Sequence, residues 1–182
     1  MPVFEYGQEE MDYLKRKDKK LGSVIDRIGI IEREIIPDPF EALISSIVSQ
    51  QISNKAADTV WKRLCDMLGC VTPETIKNVD ISDIQHCGMT MKKAGYIKGI
   101  ADAALSGSID FHNLSSQTDG EIIKELSSLH GVGVWTAEMI LIFSLCRPNV
   151  LSYNDLGIRR GIINLHNLKE LTKEDFERYR KK

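Results

Sequence analysis

The sequence has no excess of either charge: 24 Lys and Arg stand against 26 Asp and Glu, for a net charge of −2 at pH 7. A chain that binds a polyanion through basic side chains usually carries a clear positive excess, so composition gives no sign of a nucleic-acid partner. Hydrophobic residues make up 42% and charged residues 27% of the 182 residues, which excludes disordered and collagen-like classes. The length fits one domain or two closely fused halves.

Long apolar runs and clustered cysteines are also missing. The longest apolar run, Met139–Phe143, is far shorter than the roughly 20 residues that span a bilayer. The N-terminus lacks the basic and apolar regions of a secretory signal. The four cysteines do not have the spacing of a zinc or iron–sulfur site. We therefore expect a cytoplasmic protein with no membrane partner and no iron–sulfur cluster.

Strand-like alternation is absent, whereas helical periodicity recurs along the whole chain. Helix-start signals predict helices beginning near Asp38, Ser53, Thr72, Thr118, Asp155 and Thr172. Periodicity predicts two more, over Lys93–Leu105 and Val134–Cys146, and continues the helix from Thr118 through Leu129. No Pro-rich or Gly/Ser-rich linker divides the chain. The prediction is an all-α protein of about ten short helices in two lobes, with a ligand site in the cleft between them.

Gly131 and Gly133 mark a tight turn between two predicted helices. We expect both glycines to adopt backbone conformations that other residues avoid and to expose the amides that precede the second helix. Amides at the positive end of a helix can bind a phosphate oxygen without any basic side chain. The alternative is a simple helix–helix turn that binds nothing.

Asp155 stands at the predicted start of a later helix, where its carboxylate can cap the helix by accepting backbone N–H bonds. A helix N-terminus favours the ionised carboxylate, so we expect Asp155 to be negative at neutral pH. An anion held in a fixed place suits a reaction that develops positive charge on a sugar. Capping and such a catalytic role are compatible.

Three motifs follow one another along the chain: DPFEALISSIVSQQISNKAA at residues 38–57, LHGVGVWTAEM at 129–139 and YNDLGIRRG at 153–161. Together they resemble the helix-hairpin-helix Gly/Pro-Asp (HhH-GPD) DNA glycosylase superfamily, and within it the 3-methyladenine DNA glycosylase II branch. The resemblance runs from about residue 13 to the end of the chain. It implies two helical lobes with a DNA-binding cleft between them, and a helix-hairpin-helix motif.

The resemblance also implies a function. A member of this branch would be a monofunctional glycosylase that excises alkylated purines of the 3-methyladenine and 7-methylguanine type in base excision repair. It would hydrolyse the N-glycosidic bond after flipping the base out of the duplex. Its partner would be double-stranded DNA containing damaged bases, and it would act as a monomer, associated with the nucleoid if the source is prokaryotic.

Residue roles carry over by motif. Asp155 matches the catalytic aspartate, and Gly131, Val132, Gly133 and Thr136 match the clamp on the DNA backbone. Trp135 and Met139 are expected to bind the base, and Gln51 to fill the space that the flipped nucleotide leaves. Trp135 stands where strand-cleaving members carry a Schiff-base lysine, so no lyase activity is expected. Plain core packing for Trp135 and an exposed helix-end amide for Gln51 remain the alternatives.

No cofactor is required by this chemistry. The family's hairpin often holds a monovalent cation through main-chain carbonyls, which here would be those of Ser127, Leu129 and Val132. The expected ion is Na⁺ or K⁺.

The resemblance divides the chain into three parts. Residues 1–37 are expected to pack with the C-terminal lobe, 38–117 to form the N-lobe, and 118–182 to form the HhH-GPD catalytic lobe. The family usually continues past a pattern like RYR at 178–180 into another aromatic-rich helix, so we expect either a C-terminally truncated lobe or a lobe that dispenses with that helix. Two alternatives stay open: a non-catalytic helix-hairpin-helix DNA-binding protein, and a glycosylase for another damaged base.

Overall fold

The computed structural model describes residues 2–181, and helices dominate it. The only β-type pairing within those residues is an isolated antiparallel bridge between Val3 and Glu34. The prediction of an all-α fold is confirmed. In chain order the helices are α1 (Gln8–Lys17), α2 (Lys19–Ile28), α3 (Pro39–Ser49), α4 (Asn54–Leu68), α5 (Pro73–Lys77), α6 (Ile81–His86), α7 (Met91–Leu105), α8 (Asp119–Leu126), α9 (Val134–Phe143), α10 (Leu156–His166) and α11 (Lys173–Arg180).

Local capping chemistry explains where most predicted helices begin. The Asp38 carboxylate accepts the Glu41 N–H at 2.8 Å, and Pro39 occupies the first position of α3. Thr118 and Glu121 bond reciprocally at the start of α8, as the sequence predicts. The predicted apolar face of α3 is buried along its whole length: Phe40, Leu43, Ile44, Ile47 and Val48.

Two helices end earlier than predicted. After Leu126 the backbone bonds tighten from i→i−4 to i→i−3, with Ser128 N–H on Glu125 O and Leu129 N–H on Leu126 O. Leu129 therefore lies in the turn and not in α8. At the end of α9, Ser144 N–H and Leu145 N–H both bond to Ile140 O, and Cys146 has a φ of +53°. The helix consequently ends at Phe143, short of the predicted Cys146.

Three helices, α1, α2 and α6, carry no specific sequence prediction. The single buried residue of α1 is Met11, so α1 lacks an apolar stripe. The sequence feature that favours α1 is electrostatic: Glu9 and Glu10 lie in its first turn and basic residues lie in its last turn, as the helix dipole prefers. The Asp18 carboxylate then caps α2 by accepting from Lys20 N–H and Leu21 N–H.

The chain forms two compact units. One is Ile36–Leu145, in which α3 packs on α4, α7 and α9. Its fully buried side chains include Leu43, Ile44, Ile47, Leu64, Ile97, Leu114, Ile122 and Leu126. The predicted boundary between residues 117 and 118 falls inside this unit.

The other unit combines Met1–Ile35 with Cys146–Lys182. The His166 imidazole lies 3.4 Å from the Asp18 carboxylate and stacks on Tyr179, with ring centroids 4.3 Å apart. These contacts tie α2 to α10 and α11. The outer bounds of the predicted N- and C-terminal parts, residues 1 and 182, lie outside the described residues. Within the described range, no helix is both long enough and apolar enough to cross a membrane.

Candidate functional site

The turn between α8 and α9 requires glycine at position 131. Gly131 has a φ of +88°, a left-handed conformation that residues with side chains rarely adopt. A Cβ atom there would also overlap the ring of Tyr96 from α7. The expectation of a special glycine is therefore confirmed at Gly131, on two independent grounds.

Gly133 differs from that expectation. Its φ of −97° is open to any residue, and a Cβ atom would meet nothing within 4 Å. Gly133 caps α9 without a side-chain bond, and the first bond within the helix joins Ala137 N–H to Gly133 O at 3.0 Å. Glycine at this position thus keeps the space in front of the helix N-terminus open.

Val132 and Thr136, the other two clamp candidates, have buried side chains. Val132 is 6% exposed and Thr136 is 4% exposed. The Thr136 hydroxyl therefore faces the interior of the unit. Any contact of this hairpin with a phosphate would come from main-chain N–H groups at the start of α9.

Trp135 lies in the first turn of α9 and is 40% exposed. This exposure excludes the alternative that it is a plain core residue. Glu138 and Met139 follow at i+3 and i+4 on the same side of the helix, and both are half-buried. The helix thus offers an aromatic ring and a flexible thioether on one face.

Gln51 lies in the short turn between α3 and α4. Its side chain is exposed, and its φ of +58° is left-handed. For a residue other than glycine such a conformation costs about 1 kcal/mol or more, and it persists only where the surroundings fix it. Gln51 is therefore an exposed side chain directly after the Gln50 C-cap of α3, on a constrained turn, and the alternative of an exposed helix-end amide stays open.

Three residues for which the sequence predicted no role in the site hold this turn and the hairpin. Gln50 donates from Nε2 to Gly131 O at 3.0 Å. Lys93 donates from Nζ to Val48 O at 2.8 Å and to Gln50 O at 2.5 Å. Burial lowers the pKa of the Lys93 ammonium. Tyr96 packs against Gly131.

Asp155 caps α10. Its Oδ1 accepts the Ile158 N–H at 2.9 Å, and its own N–H donates to Ser152 O at 3.3 Å. The predicted capping role is confirmed. A Cβ atom at Gly157 would lie 3.1 Å from Asp155 Oδ1, tighter than an ordinary van der Waals contact. Glycine at 157 therefore leaves room beside this carboxylate.

Aromatic packing supports the turn that precedes Asp155. The Tyr153 ring meets the buried Phe176 ring of α11 edge to face, with centroids 5.2 Å apart. The Arg159 guanidinium lies 5.0 Å from the centroid of the Tyr153 ring. These contacts hold Tyr153, two residues before Asp155, against α10 and α11.

The α8–α9 turn contains the three main-chain carbonyls that are predicted to bind a monovalent cation, those of Ser127, Leu129 and Val132. Leu129 O accepts the Val132 N–H at 3.1 Å, which leaves it one further lone pair. The Ser127 Oγ atom is buried and has no hydrogen-bond partner in the described structure. A buried polar atom without a partner is consistent with an ion or water in this turn. In residues 2–181, no group of three or more His, Cys, Asp or Glu side chains is placed to bind a metal ion.

The structure thus brings the Gln51 turn, Lys93, the hairpin and Trp135 into the Ile36–Leu145 unit, whereas Asp155 belongs to the other unit.

The sequence model of the HhH-GPD superfamily of base excision DNA repair proteins matches residues 44–182. This chain belongs to the HhH-GPD superfamily.

Individual relatives agree with the HhH-GPD assignment. The chain is 36% identical over 138 residues to DNA-3-methyladenine glycosylase 1 of Schizosaccharomyces pombe, a match that covers 74% of this chain and 60% of that protein. This HhH-GPD chain thus spans less than two-thirds of the length of that relative.

Two solved structures share the fold. A DNA-3-methyladenine glycosidase from Bacillus halodurans superposes with a TM-score of 0.80 at 33% identity, covering 91% of this chain and 77% of that one. An S. pombe 3-methyladenine DNA glycosylase in complex with abasic DNA gives 0.81 at 30% identity, covering 93% and 85%. The HhH-GPD fold therefore extends over nearly the whole chain.

Proposed function

We propose that this chain is a monofunctional DNA glycosylase that removes alkylated purines, of the 3-methyladenine and 7-methylguanine type, from double-stranded DNA. The observation that carries the proposal is Asp155, a carboxylate held at the N-terminus of α10 within the motif that follows the hairpin. The names of the S. pombe and B. halodurans relatives support the substrate class.

The reaction breaks the bond between C1′ of the sugar and the purine nitrogen. The bonding electron pair leaves with the base, and an alkylated purine that is already cationic departs as a neutral molecule without a general acid. Water then adds to C1′ and loses its proton. Asp155 stabilises the positive charge that develops on the sugar, and it orients or deprotonates the incoming water. Because Oδ1 is held by Ile158 N–H, the carboxylate keeps one orientation.

Trp135 supports base release without strand cleavage. An indole cannot form the Schiff base on which the lyase reaction of related enzymes depends. Its electron-rich face instead suits a cationic base, an attraction worth roughly 0.5–2 kcal/mol. Met139, one turn further along α9, offers the same base a flexible apolar contact.

The DNA is held through the hairpin and distorted by Gln51. Main-chain N–H groups from Gly133 to Thr136, at the start of α9, bind a backbone phosphate, and the open space at Gly133 admits it. Gln51, displayed on its constrained turn, enters the gap that the flipped nucleotide leaves. A monovalent cation bound by the Ser127, Leu129 and Val132 carbonyls would add positive charge next to that phosphate.

The experiment is direct. Duplex DNA treated with a methylating agent is incubated with the protein, and released bases are separated by chromatography. We expect free 3-methyladenine and 7-methylguanine, intact strands until alkali is added, and no adduct trapped by borohydride. Specific binding with no base released from methylated, etheno, deaminated or oxidised DNA would instead identify a non-catalytic DNA-binding protein. Release confined to another lesion class would identify a different glycosylase.

A further inference from the structure

Lys93 holds the end of α3. Its ammonium donates to Val48 O, in the last turn of α3, and to Gln50 O, just past the end of the helix. The last carbonyls of a helix lack partners within the helix, so a cation there satisfies them. Lys93 itself lies in the first turn of α7, 43 residues from Gln50 along the chain. The contact therefore fixes the α3–α4 turn to α7.

The same two elements also hold the hairpin. Gln50 donates to Gly131 O, and Tyr96, one turn after Lys93 on α7, fills the space beside Gly131. Gln50 is therefore bonded on both sides, through its carbonyl to Lys93 and through its side chain to the hairpin. The left-handed Gln51 follows directly after this doubly held residue.

We propose that Lys93 is a positioning residue for DNA distortion, which holds the Gln51 turn and the Gly131 hairpin in a fixed relation. The inference rests on the proposed function for the roles of Gln51 and the hairpin. A strained backbone persists where its surroundings over-determine it, and the bonds of Lys93 and Gln50 supply that constraint. Without the ammonium, Gln51 would sample other conformations and enter the duplex less often.

Lys98 provides a matched control on the same helix. Its ammonium also holds a helix end, donating to Ile76 O and Lys77 O at 3.1 Å and to Val79 O at 2.8 Å after α5. Neither the Gln51 turn nor the hairpin is among these acceptors. Lys98→Met therefore removes the same charge and three hydrogen bonds to main-chain carbonyls, against two for Lys93→Met, without touching the proposed linkage.

The test compares Lys93→Met, Lys93→Arg and Lys98→Met in the full chain. The first measurement is amide hydrogen exchange of the DNA-free protein over residues 49–53 and 131. The second is fluorescence of 2-aminopurine next to a tetrahydrofuran abasic analogue, which reports insertion into the duplex without chemistry. The third is single-turnover base release. Gln50→Leu, which removes only the bond to Gly131, serves as a second variant if Lys93→Met does not fold.

We expect Lys93→Met to speed exchange at residues 49–53, to lose most of the fluorescence response, and to slow base release about tenfold, because small misplacements of reacting groups are costly. Lys93→Arg should recover most of the fluorescence response. Lys98→Met should lower the melting temperature yet leave the fluorescence response unchanged.

Two results would overturn the positioning role: unchanged exchange and fluorescence in both Lys93→Met and Gln50→Leu, or an equal loss in Lys98→Met. Failure of the proposed function has a different signature. In that case the wild-type protein itself gives no fluorescence response and releases no base, whereas the exchange difference at residues 49–53 still reports whether Lys93 holds the turn.

Discussion

Gly157 lies two residues after Asp155, in the first turn of α10, and a Cβ atom at this position would lie 3.1 Å from Asp155 Oδ1. Alanine is a better helix former than glycine by up to about 1 kcal/mol, so Gly157→Ala should preserve or raise the melting temperature. Its methyl group would displace the Asp155 carboxylate by a few tenths of an ångström, and base release should fall about tenfold. Thermal denaturation and single-turnover kinetics check the two effects separately.

A variant that loses activity in proportion to stability would contradict this account of Gly157. Leu156→Ala, at the neighbouring exposed position, is the matched control and should change neither quantity appreciably.

The two glycines of the α8–α9 hairpin have different roles. Gly131→Ala places a side chain at φ +88° against the Tyr96 ring and should cost about 1–3 kcal/mol of stability. Gly133→Ala has a permitted φ and open space, so its melting temperature should stay close to wild type. It should nevertheless weaken DNA binding, because the methyl group occupies the approach of the phosphate.

Differential scanning calorimetry and fluorescence anisotropy with an undamaged duplex separate these effects. Equal destabilisation by the two alanines, or unchanged DNA affinity in Gly133→Ala, would show that the hairpin does not work in this way.

The capping box at the start of α8 makes the stability of the protein sensitive to acid. The Glu121 carboxylate accepts from the Thr118 hydroxyl at 2.7 Å and from its N–H at 2.9 Å, and these bonds lower the pKa of Glu121 below its usual value of 4.5. Because the pKa is lower in the folded state, this stabilisation is present above pH 4.5 and is lost as pH falls through the lowered value.

Glu121→Gln keeps a side-chain oxygen that can accept both hydrogen bonds from Thr118, but it removes the carboxylate that titrates. The melting temperature of wild type should therefore exceed that of Glu121→Gln at pH 7, and the difference should shrink towards pH 3. A difference that stays constant over this range would mean that the carboxylate contributes nothing specific.

Local signals predicted most elements, and long-range contacts account for what they missed. Asp38, Thr118 and Asp155 cap their helices through residues three positions away, so their roles are visible in the sequence. Gln50 and Gly131 are 81 residues apart, and no local pattern marks such a pair. Whether Gly131 has room for a Cβ atom likewise depends on Tyr96, which belongs to a different helix.

At the scale of the whole molecule, the near-neutral charge hides an uneven distribution. Met1–Ile35 with Cys146–Lys182 holds 16 Lys and Arg against 13 Asp and Glu, whereas Ile36–Leu145 holds 8 against 13. The unit that carries Asp155 is thus basic, and the unit that carries the hairpin is acidic. This acidity fits a hairpin that binds phosphate through main-chain N–H groups rather than through basic side chains.

Salt dependence tests this charge distribution. With few basic side chains on phosphates, the slope of log K against log salt concentration should be shallow, about −2 to −4, corresponding to about two to four neutralised phosphates. Titration of an undamaged duplex by fluorescence anisotropy between low and physiological salt gives the slope. A slope near −8 would mean that basic side chains, and not the hairpin, dominate binding.

In the proposed mechanism, Asp155 drives base release. Asparagine caps a helix as well as aspartate does, so the free energy of unfolding of Asp155→Asn should lie within about 0.5 kcal/mol of wild type. The variant should also bind abasic-analogue DNA normally. The decisive measurement is the single-turnover rate at which this variant and the wild type release 3-methyladenine from methylated duplex DNA. We predict a loss of about a hundredfold to a thousandfold in the variant, the usual cost of removing a preorganised electrostatic group. A rate within about threefold of wild type in a folded, DNA-binding variant would contradict the proposed mechanism.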